Sequence, residues 1–393
     1  MEQRDILIAI QTDSQFNSVA PLIKLLKARN YSVDILVTPA DKDNVIFNGE
    51  IDRVHKLLED SGYDYITNTS NNHYRILLTA YLLDDTVSRD YTIGYMYGVA
   101  SIRADTFTPE RRGFLDGIFV HSIREANIAR AYCESFIVPA LQYLSLKKGR
   151  TEKKKRKTVL FLPTTSAYGT SDLSDSEIEY ALDRLSAEYD IVTKPHPSMA
   201  TNPAEQDKMK ILSKYSKELI EPDVSIVSLL DKADIMLTDY SSSFASELYC
   251  NVPIAVFYPR LEPVTHRYAG IKSWLVELIE AGVIPCAKSP DDIVQTVNDA
   301  LGESIVKLQR ETSDKYFTAR NEGADAWVDI IDTYLSDKHS PEYLAMKRYY
   351  FNRFKEVLEE KALAREAPEV GVKGATKQLV TAVRRKIGRI LHV

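Results

Sequence analysis

Along the first third of the chain, short apolar runs bounded by polar turns alternate with stretches whose apolar residues recur at helical spacing. The runs predict buried strands and the spaced pattern predicts helices. Because the two alternate, we expect a parallel sheet covered by helices on both faces. The predicted strands are 5–10, 33–37, 63–67, 91–97, 117–121 and 136–139, and the predicted helices are 17–28 and 73–83.

The same alternation begins again after a strongly basic block. Strands are predicted at 158–162, 190–194, 235–238 and 254–258, with helices at 175–188, 225–232 and 244–250. The remaining pattern is helical, at 291–301, 304–320, 324–336 and 341–363.

These patterns divide the chain into four segments. We expect an N-terminal α/β domain at 1–146, a basic linker at 147–157, a second α/β domain at 158–336 and C-terminal helices at 337–393. Such an arrangement suits a cleft between two sheets, and ligands of open parallel sheets bind outside the carboxyl ends of the strands.

Composition narrows the class of protein. The apolar fraction is 44% and the net charge is -6, which argues against a nucleic-acid binder. The three cysteines are too widely spaced for a disulfide framework or a zinc site, which fits a reducing compartment. The first apolar run is too short for the core of a signal peptide, so we expect a cytoplasmic protein.

Two loops that follow predicted strands carry unusual side chains. Thr164 and Thr165 follow the strand at 158–162, where they could face an anion or form an ordinary strand-to-helix turn. Lys194 ends the predicted strand at 190–194 and His196 follows it, and the prolines on both sides of His196 restrict its backbone. A fixed imidazole beside a lysine suits the growing negative charge of a pyrophosphate leaving group, although a lone histidine is more often structural.

A third loop runs from Asp239 through Ser241, Ser242 and Ser243 into a predicted helix. Its hydroxyls and amides could bind phosphate, or a serine could simply cap the helix. One turn later, Glu247 is placed to accept a hydrogen bond from a ribose hydroxyl or to remain a surface carboxylate.

The segments VLFLPTTS, VTKPHPS, LLDKADIMLTDYSSSFASEL and NVPIAVFYPR occur in that order. Together they resemble the CDP-glycerol glycerophosphotransferases of wall teichoic acid and capsule assembly, over roughly residues 158–330. The resemblance implies a GT-B fold, in which two Rossmann-like domains face each other across a cleft. It also implies a cytidine-type donor, a lipid-linked or polymeric acceptor, pyrophosphate contacts from His196 and Ser242, and a pocket shaped by Asp239 and Ser241.

The chain departs from that family in its N-terminal half. The family carries a Trp-His-Gly motif whose histidine is thought to act as the base, whereas here Tyr97 precedes Gly98. Tyrosine, with an ordinary pKa of about 10, is a poor base at neutral pH. Alternative candidates for the catalytic base are His121, Asp13 and His73, of which His121 is preferred because it ends a predicted strand.

Two other functions stay open. The chain could be a GT-B glycosyltransferase that uses a CMP-Kdo or UDP-sugar donor, or a non-catalytic scaffold that keeps the nucleotide pocket. We expect no metal, because no Asp-x-Asp pair stands at a donor loop, and no cofactor beyond the nucleotide-activated substrate.

The last segment has a distinct pattern. Residues 372–393 contain six basic residues and no acidic residue. From Leu379 onward the apolar side chains fall on one helical face, and five basic side chains between Lys377 and Arg389 fall on the rest. This pattern is typical of a helix that lies in the headgroup region of an anionic membrane, although a helix that packs on its own protein has the same pattern. We therefore expect a peripheral enzyme on the inner face of the cell membrane.

Overall fold

A computed structural model of the protein describes two compact units of the chain, residues 1–338 and 339–393. The described residues are 2–38, 50–69, 72–80, 87–100, 115–146, 156–164, 173–196, 199, 202–221, 224–259, 273–336, 340, 342–346, 349–350, 353 and 356. Most of the predicted basic linker, and the whole of residues 372–393, lie outside them.

The first half of the larger unit is built on a parallel sheet. Its strands are β1 (Glu2–Ile10), β2 (Val33–Val37), β3 (Asn72–Thr79), β4 (Ser88–Tyr95), β5 (Gly117–Val120) and β6 (Glu134–Ile137). Its helices are α1 (Asp13–Ala28), α2 (Glu50–Asp60) and α3 (Ile123–Ala129). The strand order is β2-β1-β3-β4-β5-β6. After β2 the chain crosses to the other side of β1, where it forms β3 and then adds β4, β5 and β6 in turn.

Helix α1 shows how local sequence sets its own limits. The Thr12 side chain caps its start by accepting a hydrogen bond from the backbone N–H of Gln15. At its end Asn30 has φ 65°, and Tyr31 N donates to Leu26 O at 3.1 Å. This left-handed ending, which asparagine tolerates, stops the helix at the predicted break.

Two predictions for this half are wrong. Residues 63–67 form no strand, only a single bridge between Ile66 and Leu36. Residues 72–79, predicted as part of a helix, form the central strand β3, in which Ile76, Leu77 and Leu78 are buried. A central parallel strand is covered on both faces, so its consecutive apolar residues lack the alternation that would distinguish a strand from a buried helix.

The second half repeats the architecture. Its strands are β7 (Thr158–Leu162), β8 (Asp190–Thr193), β9 (Glu218–Leu219), β10 (Ile235–Thr238), β11 (Ile254–Phe257) and β12 (Cys286–Ala287). Its helices are α4 (Asp175–Glu188), α5 (Gln206–Tyr215), α6 (Val227–Leu230), α7 (Phe244–Tyr249), α8 (Trp274–Glu280), α9 (Ile293–Ala300), α10 (Glu303–Tyr316) and α11 (Asp325–Leu335). Each predicted second-half strand is present.

The second sheet has the strand order of a dinucleotide-binding fold. The order is β12-β11-β10-β7-β8-β9, and all pairs are parallel. The chain starts at β7, moves outward through β8 and β9, and returns to the other side of β7 with β10. The carboxyl ends of β7 and β10 therefore form the topological switch point, where ligands of such sheets bind.

The last helix, α11, returns to the first sheet. The Trp327 ring packs on Phe119 with centroids 4.4 Å apart, and its Nε1 donates to Pro139 O at 2.9 Å. The Tyr334 hydroxyl donates to Glu134 Oε2 at 2.7 Å. The predicted boundary of the second domain at 336 therefore needs a correction, because residues 325–335 complete the core of the first half.

The two halves share a packed junction. Val99, Ala100 and Ala140 of the first half belong to the same buried cluster as Leu160 and Met236 of the second. The Ala140 backbone N–H donates to the Tyr249 hydroxyl at 3.0 Å. The carboxyl-end loops of the first sheet thus pack on the core of the second half.

The smaller unit is described in part. Residues 342–346 and 349–350 are helical, and four large side chains here are exposed: Tyr343, Met346, Tyr349 and Tyr350. Among the described helices of the whole chain, none combines the length with the apolar content that crossing a bilayer demands.

Replacing Trp327 tests the return of α11 to the first sheet. We expect Trp327→Ala to lower the free energy of unfolding by about 3–5 kcal/mol, because a buried aromatic side chain leaves a cavity. Trp327→Phe keeps most of the packing and loses the hydrogen bond, so it should cost clearly less. Urea unfolding measures both variants, and equal losses would contradict this account.

Candidate functional site

The switch point of the second sheet is held together by one carboxylate. Asp239 follows β10, and its Oδ2 accepts hydrogen bonds from both the backbone N and the Oγ1 of Thr164, each at 2.8 Å. Thr164 follows β7, and both residues are buried. Asp239 therefore fixes two predicted donor loops relative to each other, and its described contacts are structural.

The serine loop continues from Asp239 to the start of α7. Ser242 is exposed, whereas Ser241 and Ser243 are half-buried. The Ser241 hydroxyl accepts from Ser243 N at 3.2 Å, and the Ser243 hydroxyl lies 3.3 Å from Thr238 Oγ1. Ser243 precedes α7 without a side-chain capping bond, so the serines shape the loop rather than cap the helix.

The loop after β8 leaves the same sheet edge. Lys194 N donates to Phe161 O at 3.0 Å, and His196 O accepts from Met199 N at 2.9 Å, so the backbone on both sides of Pro195 is fixed. Burial, followed by the charge of Lys194, lowers the pKa of the His196 imidazole to about 4, while Glu205 acts in the opposite direction. His196 is therefore neutral at neutral pH.

Glu247 lies deeper than predicted. Its side chain is fully buried in α7, and neither carboxyl oxygen has a hydrogen-bond partner among the described residues. Burial raises the pKa of this carboxyl group well above its ordinary value of 4.5. Contact with a ribose hydroxyl requires the surrounding side chains to move, and it stays a prediction.

His121 is held between two strand ends. It is buried, and its Nδ1 and Nε2 each lie 3.0 Å from a backbone carbonyl oxygen, of Val138 and Met96 respectively. Burial lowers the pKa of this imidazole, and the carbonyl contacts raise it. Since both ring nitrogens face the backbone, the arrangement presents neither of them to an acceptor hydroxyl.

The other two base candidates lie at opposite edges of the first sheet. His73 is at the amino end of β3, with Ser88 Oγ at 2.8 Å and Asp90 Oδ1 at 3.1 Å, so it lies away from the carboxyl edge of the sheet. Asp13 follows β1 at the carboxyl edge, and its Oδ2 lies 2.8 Å from a nitrogen of Arg53. Asp13 keeps the position that an acceptor-side role needs.

The structure thus brings Thr164, Asp239 and the serines together at the switch point and places Lys194 and His196 on the neighbouring loop. Thr165 lies outside the described residues.

Sequence reasoning missed the buried ion pair between Glu205 and Lys208, in which Lys208 Nζ lies 3.5 Å from Glu205 Oε2. A lysine and a glutamate one helical turn apart usually lie on the surface, so their spacing does not indicate burial.

The described part of the chain contains no cluster of side chains that resembles a metal site. No three His, Cys, Asp or Glu side chains among these residues are placed to hold a metal ion.

Residues 141–325 match the sequence model of the family described as CDP-glycerol:poly(glycerophosphate) glycerophosphotransferase. All three loops of the switch-point edge lie within the match. The match confirms the resemblance predicted for residues 158–330 and the predicted enzyme class, a transferase.

Solved structures share the fold of residues 141–325 and of the half that precedes them. MnaA of S. aureus with UDP matches at a TM-score of 0.54 and 15% identity, covering 86% of this chain and 97% of that one. A structure of the wall teichoic acid polymerase TagF with CDPG matches at 0.53 and 12%, covering 85% and 88%. The UDP-GlcNAc 2-epimerase of Neisseria meningitidis matches at 0.52 and 13%, covering 84% and 100%.

These likenesses confirm the predicted GT-B-like α/β fold. At such low identity they carry no conclusion about substrate. No curated protein sequence matches the chain.

Glu247 generates a prediction about stability and pH. A carboxyl group whose pKa is raised on folding stabilises the fold below its unfolded pKa of 4.5, and that stability is lost as the pH rises toward the folded pKa. We therefore expect Glu247→Gln to melt at a higher temperature than the wild type at about pH 8. The difference should shrink as the pH falls toward 4.5. Melting temperatures with parallel pH dependence would contradict a buried, neutral Glu247.

Proposed function

We propose that the protein transfers a glycerophosphate group from CDP-glycerol to a hydroxyl group of a lipid-linked or polymeric acceptor during assembly of a cell-surface polymer. The observation that carries the proposal is that the glycerophosphotransferase match spans every loop at the switch point of the second sheet. The nucleotide-activated donor is itself the substrate, and the proposal needs no further cofactor.

The donor pyrophosphate is proposed to lie against Lys194, His196 and the serine loop. These groups follow the carboxyl ends of β8 and β10, the two strands that flank β7. Lys194 supplies positive charge, and Ser241 and the exposed Ser242 supply hydroxyl donors. Asp239 acts indirectly, because its carboxylate positions Thr164 and the start of the serine loop.

The reaction balances without an added reagent. The acceptor hydroxyl oxygen attacks the phosphorus that carries glycerol, and a new P–O bond forms there. The P–O bond to the CMP portion breaks, and CMP leaves with the bonding electron pair. Lys194 and His196 stabilise the negative charge that grows on the departing phosphate. The hydroxyl proton passes to a group on the acceptor side, for which Asp13 is the candidate left at the carboxyl edge of the first sheet.

Removing His196 tests the donor site. We expect His196→Ala to lower turnover of CDP-glycerol by at least ~100-fold, the usual scale for losing one electrostatic stabiliser. Release of CMP in the presence of an oligo(glycerol phosphate) acceptor measures it. His55, a histidine on α2 in the first half, offers a matched control, and His55→Ala should keep its turnover. An unchanged rate in His196→Ala would remove the proposed site.

The low pKa of His196 sets the expected pH dependence of donor binding. The free imidazole is neutral above about pH 4, and a bound anionic pyrophosphate raises its pKa. Binding therefore takes up a proton, and affinity for CDP-glycerol should rise as the pH falls from about 8 to about 5.5. Calorimetry in two buffers of different ionisation enthalpy measures the uptake. His196→Asn should abolish it, and equal uptake in this variant would exclude His196 as the titrating group.

Competing donors separate this function from its rivals. CDP-glycerol should protect the protein against thermal unfolding more strongly than CMP-Kdo or UDP-sugars, because bound ligand stabilises the folded state by mass action. Protection by a nucleotide sugar alone would favour the glycosyltransferase, and protection by CDP-glycerol without transfer would favour a scaffold.

We further propose that residues 372–393 hold the enzyme on an anionic membrane surface, where a lipid-linked acceptor presents its head group. The pattern of six basic residues beside an apolar face supports this, and so do the exposed tyrosines at 343, 349 and 350.

Charge removal tests membrane binding. Each basic residue near an anionic surface contributes about 1 kcal/mol, so replacing Arg384, Arg385 and Lys386 together by Gln should weaken binding roughly 100-fold. Co-sedimentation with phosphatidylglycerol vesicles measures this, and raised salt should mimic the substitutions. Replacing Lys210, Lys214 and Lys217, which lie in the larger unit, is the matched control. Equal binding by both triple variants would contradict the proposal.

A further inference from the structure

A second strand-to-helix junction lies at the switch point of the first sheet. The strand order places β1 between β2 and β3, and the chain turns back between β1 and β3. Residues 11–15 run from the carboxyl end of β1 into α1, a helix of 16 residues. By the rule for open parallel sheets, this junction is the expected ligand position of the first half.

Two hydrogen bonds fix Gln15 at this junction, one to its side chain and one from its backbone. Its Oε1 accepts from Gln11 N at 2.8 Å, and its own backbone N donates to Thr12 Oγ1 at 3.2 Å. This is a variant of the capping box, in which a Thr and a Gln three residues apart satisfy the start of a helix. Because the hydrogen bond to Oε1 fixes the amide plane of Gln15, it also fixes the position of Nε2.

The N–H groups of the Gln15 side-chain amide have no acceptor among the described residues. Gln15 is 1% exposed, and its Nε2 has no hydrogen-bond partner among the described residues. A buried donor without an acceptor is costly, because it has lost its water and gained nothing in return. The capping box uses only the amide oxygen, so it gives no reason for the nitrogen. An oxygen atom of a ligand would supply the acceptor once the side chains that cover Nε2 move aside to admit it.

Asp13 provides an oriented acceptor two residues earlier. Its Oδ1 accepts from Ser14 N at 2.7 Å, and its Oδ2 lies 2.8 Å from a nitrogen of Arg53 on α2. The carboxylate is therefore held in place, and its side chain is still 23% exposed. A carboxylate repels a phosphate anion but accepts a hydrogen bond from a neutral hydroxyl group.

We propose that the Gln15 amide and the Asp13 carboxylate form a subsite that holds one hydroxyl group of the acceptor. A hydroxyl group both donates and accepts, so it donates to Asp13 and accepts from Gln15. Arg53 acts as a positioning residue, because it orients Asp13. The subsite rests on the proposed transfer reaction, for which it supplies the acceptor side.

The first half also connects this junction to the donor side. Helix α1 packs against the turn Leu141–Tyr143, and the Tyr143 hydroxyl donates to Ser246 Oγ at 2.8 Å. Ser246 lies in α7, the helix that follows the serine loop. One contiguous set of contacts therefore runs from the helix that carries Gln15 to the helix at the proposed pyrophosphate site.

The test compares two acceptors in the absence of donor. One is a short lipid-linked oligo(glycerol phosphate) with a free terminal hydroxyl, and the other is the same compound with that hydroxyl methylated. We expect the wild type to bind the free compound about tenfold more tightly, the scale of one or two hydrogen bonds. Gln15→Glu keeps an oxygen for Gln11 N and removes the donor, so it should lose this preference.

A second variant covers the case in which Gln15→Glu fails to fold. Asp13→Asn keeps an oxygen for Ser14 N and removes the charged acceptor, and it should also lose the preference for the free hydroxyl. Glu179→Gln is the matched control, because it removes a comparable carboxylate whose Oε1 lies 2.9 Å from Lys214 Nζ. This control should keep the wild-type preference.

Donor binding separates the subsite from the proposed function. CDP-glycerol should bind the wild type, Gln15→Glu and Asp13→Asn equally. The KM for acceptor should rise about tenfold in Gln15→Glu, whereas Asp13→Asn, which also lacks the proposed proton acceptor, should in addition lose turnover. A wild type that prefers neither acceptor, or folded variants that keep the preference, would overturn the subsite. A wild type that discriminates between the acceptors but binds no CDP-glycerol would leave the subsite standing and refute the donor.

Discussion

Tyr249 joins the two segments by which the chain crosses between its halves. Its hydroxyl accepts a hydrogen bond from the backbone N–H of Ala140, on the first crossing, at 3.0 Å. Its carbonyl oxygen accepts from Arg320, on the second crossing, at 3.3 Å. Tyr249 ends α7, and α7 begins directly after the serine loop. Any change in the angle between the halves therefore acts on the helix that carries the proposed pyrophosphate loop.

The chemistry of the candidate site depends on the side chains that follow the strands, and not on the fold itself. TagF and the UDP-GlcNAc 2-epimerase share the architecture of this chain, although one is a polymerase and the other an epimerase. What distinguishes one member of such a fold from another is the set of side chains at the switch points. Here that set includes the neutral His196 beside Lys194, and Asp239, whose carboxylate holds the loop after β7 in place.

The sequence predicted the second half better than the first, for a physical reason. Strands such as β7 and β10 are short apolar runs with Pro, Asp or Ser immediately beyond them, so both their length and their end are visible. Strand β3 lies at the centre of the first sheet, where burial on both faces removes any periodicity. Strands β9 and β12 have two residues each, too few to form a pattern.

The sequence predicted which loops form the candidate site, but it did not predict which contacts their side chains make. The sequence placed Lys194, His196 and Asp239 at strand ends, and the structure agrees. It did not reveal that His121 lies between two carbonyl oxygens or that Glu247 points into the interior, because burial depends on neighbours distant along the chain. The amide of Gln15 was missed for the same reason, since a capping glutamine looks ordinary in sequence.

The return of α11 to the first sheet bears on how the protein is made. A ribosome delivers the N-terminal strands first, yet the pocket lined by Phe119, Phe136 and Tyr91 is filled by Trp327 and Tyr334. The first half therefore waits with an uncovered aromatic surface until most of the polypeptide has emerged. The first half therefore completes its aromatic core only after the strands of the second half have been synthesised.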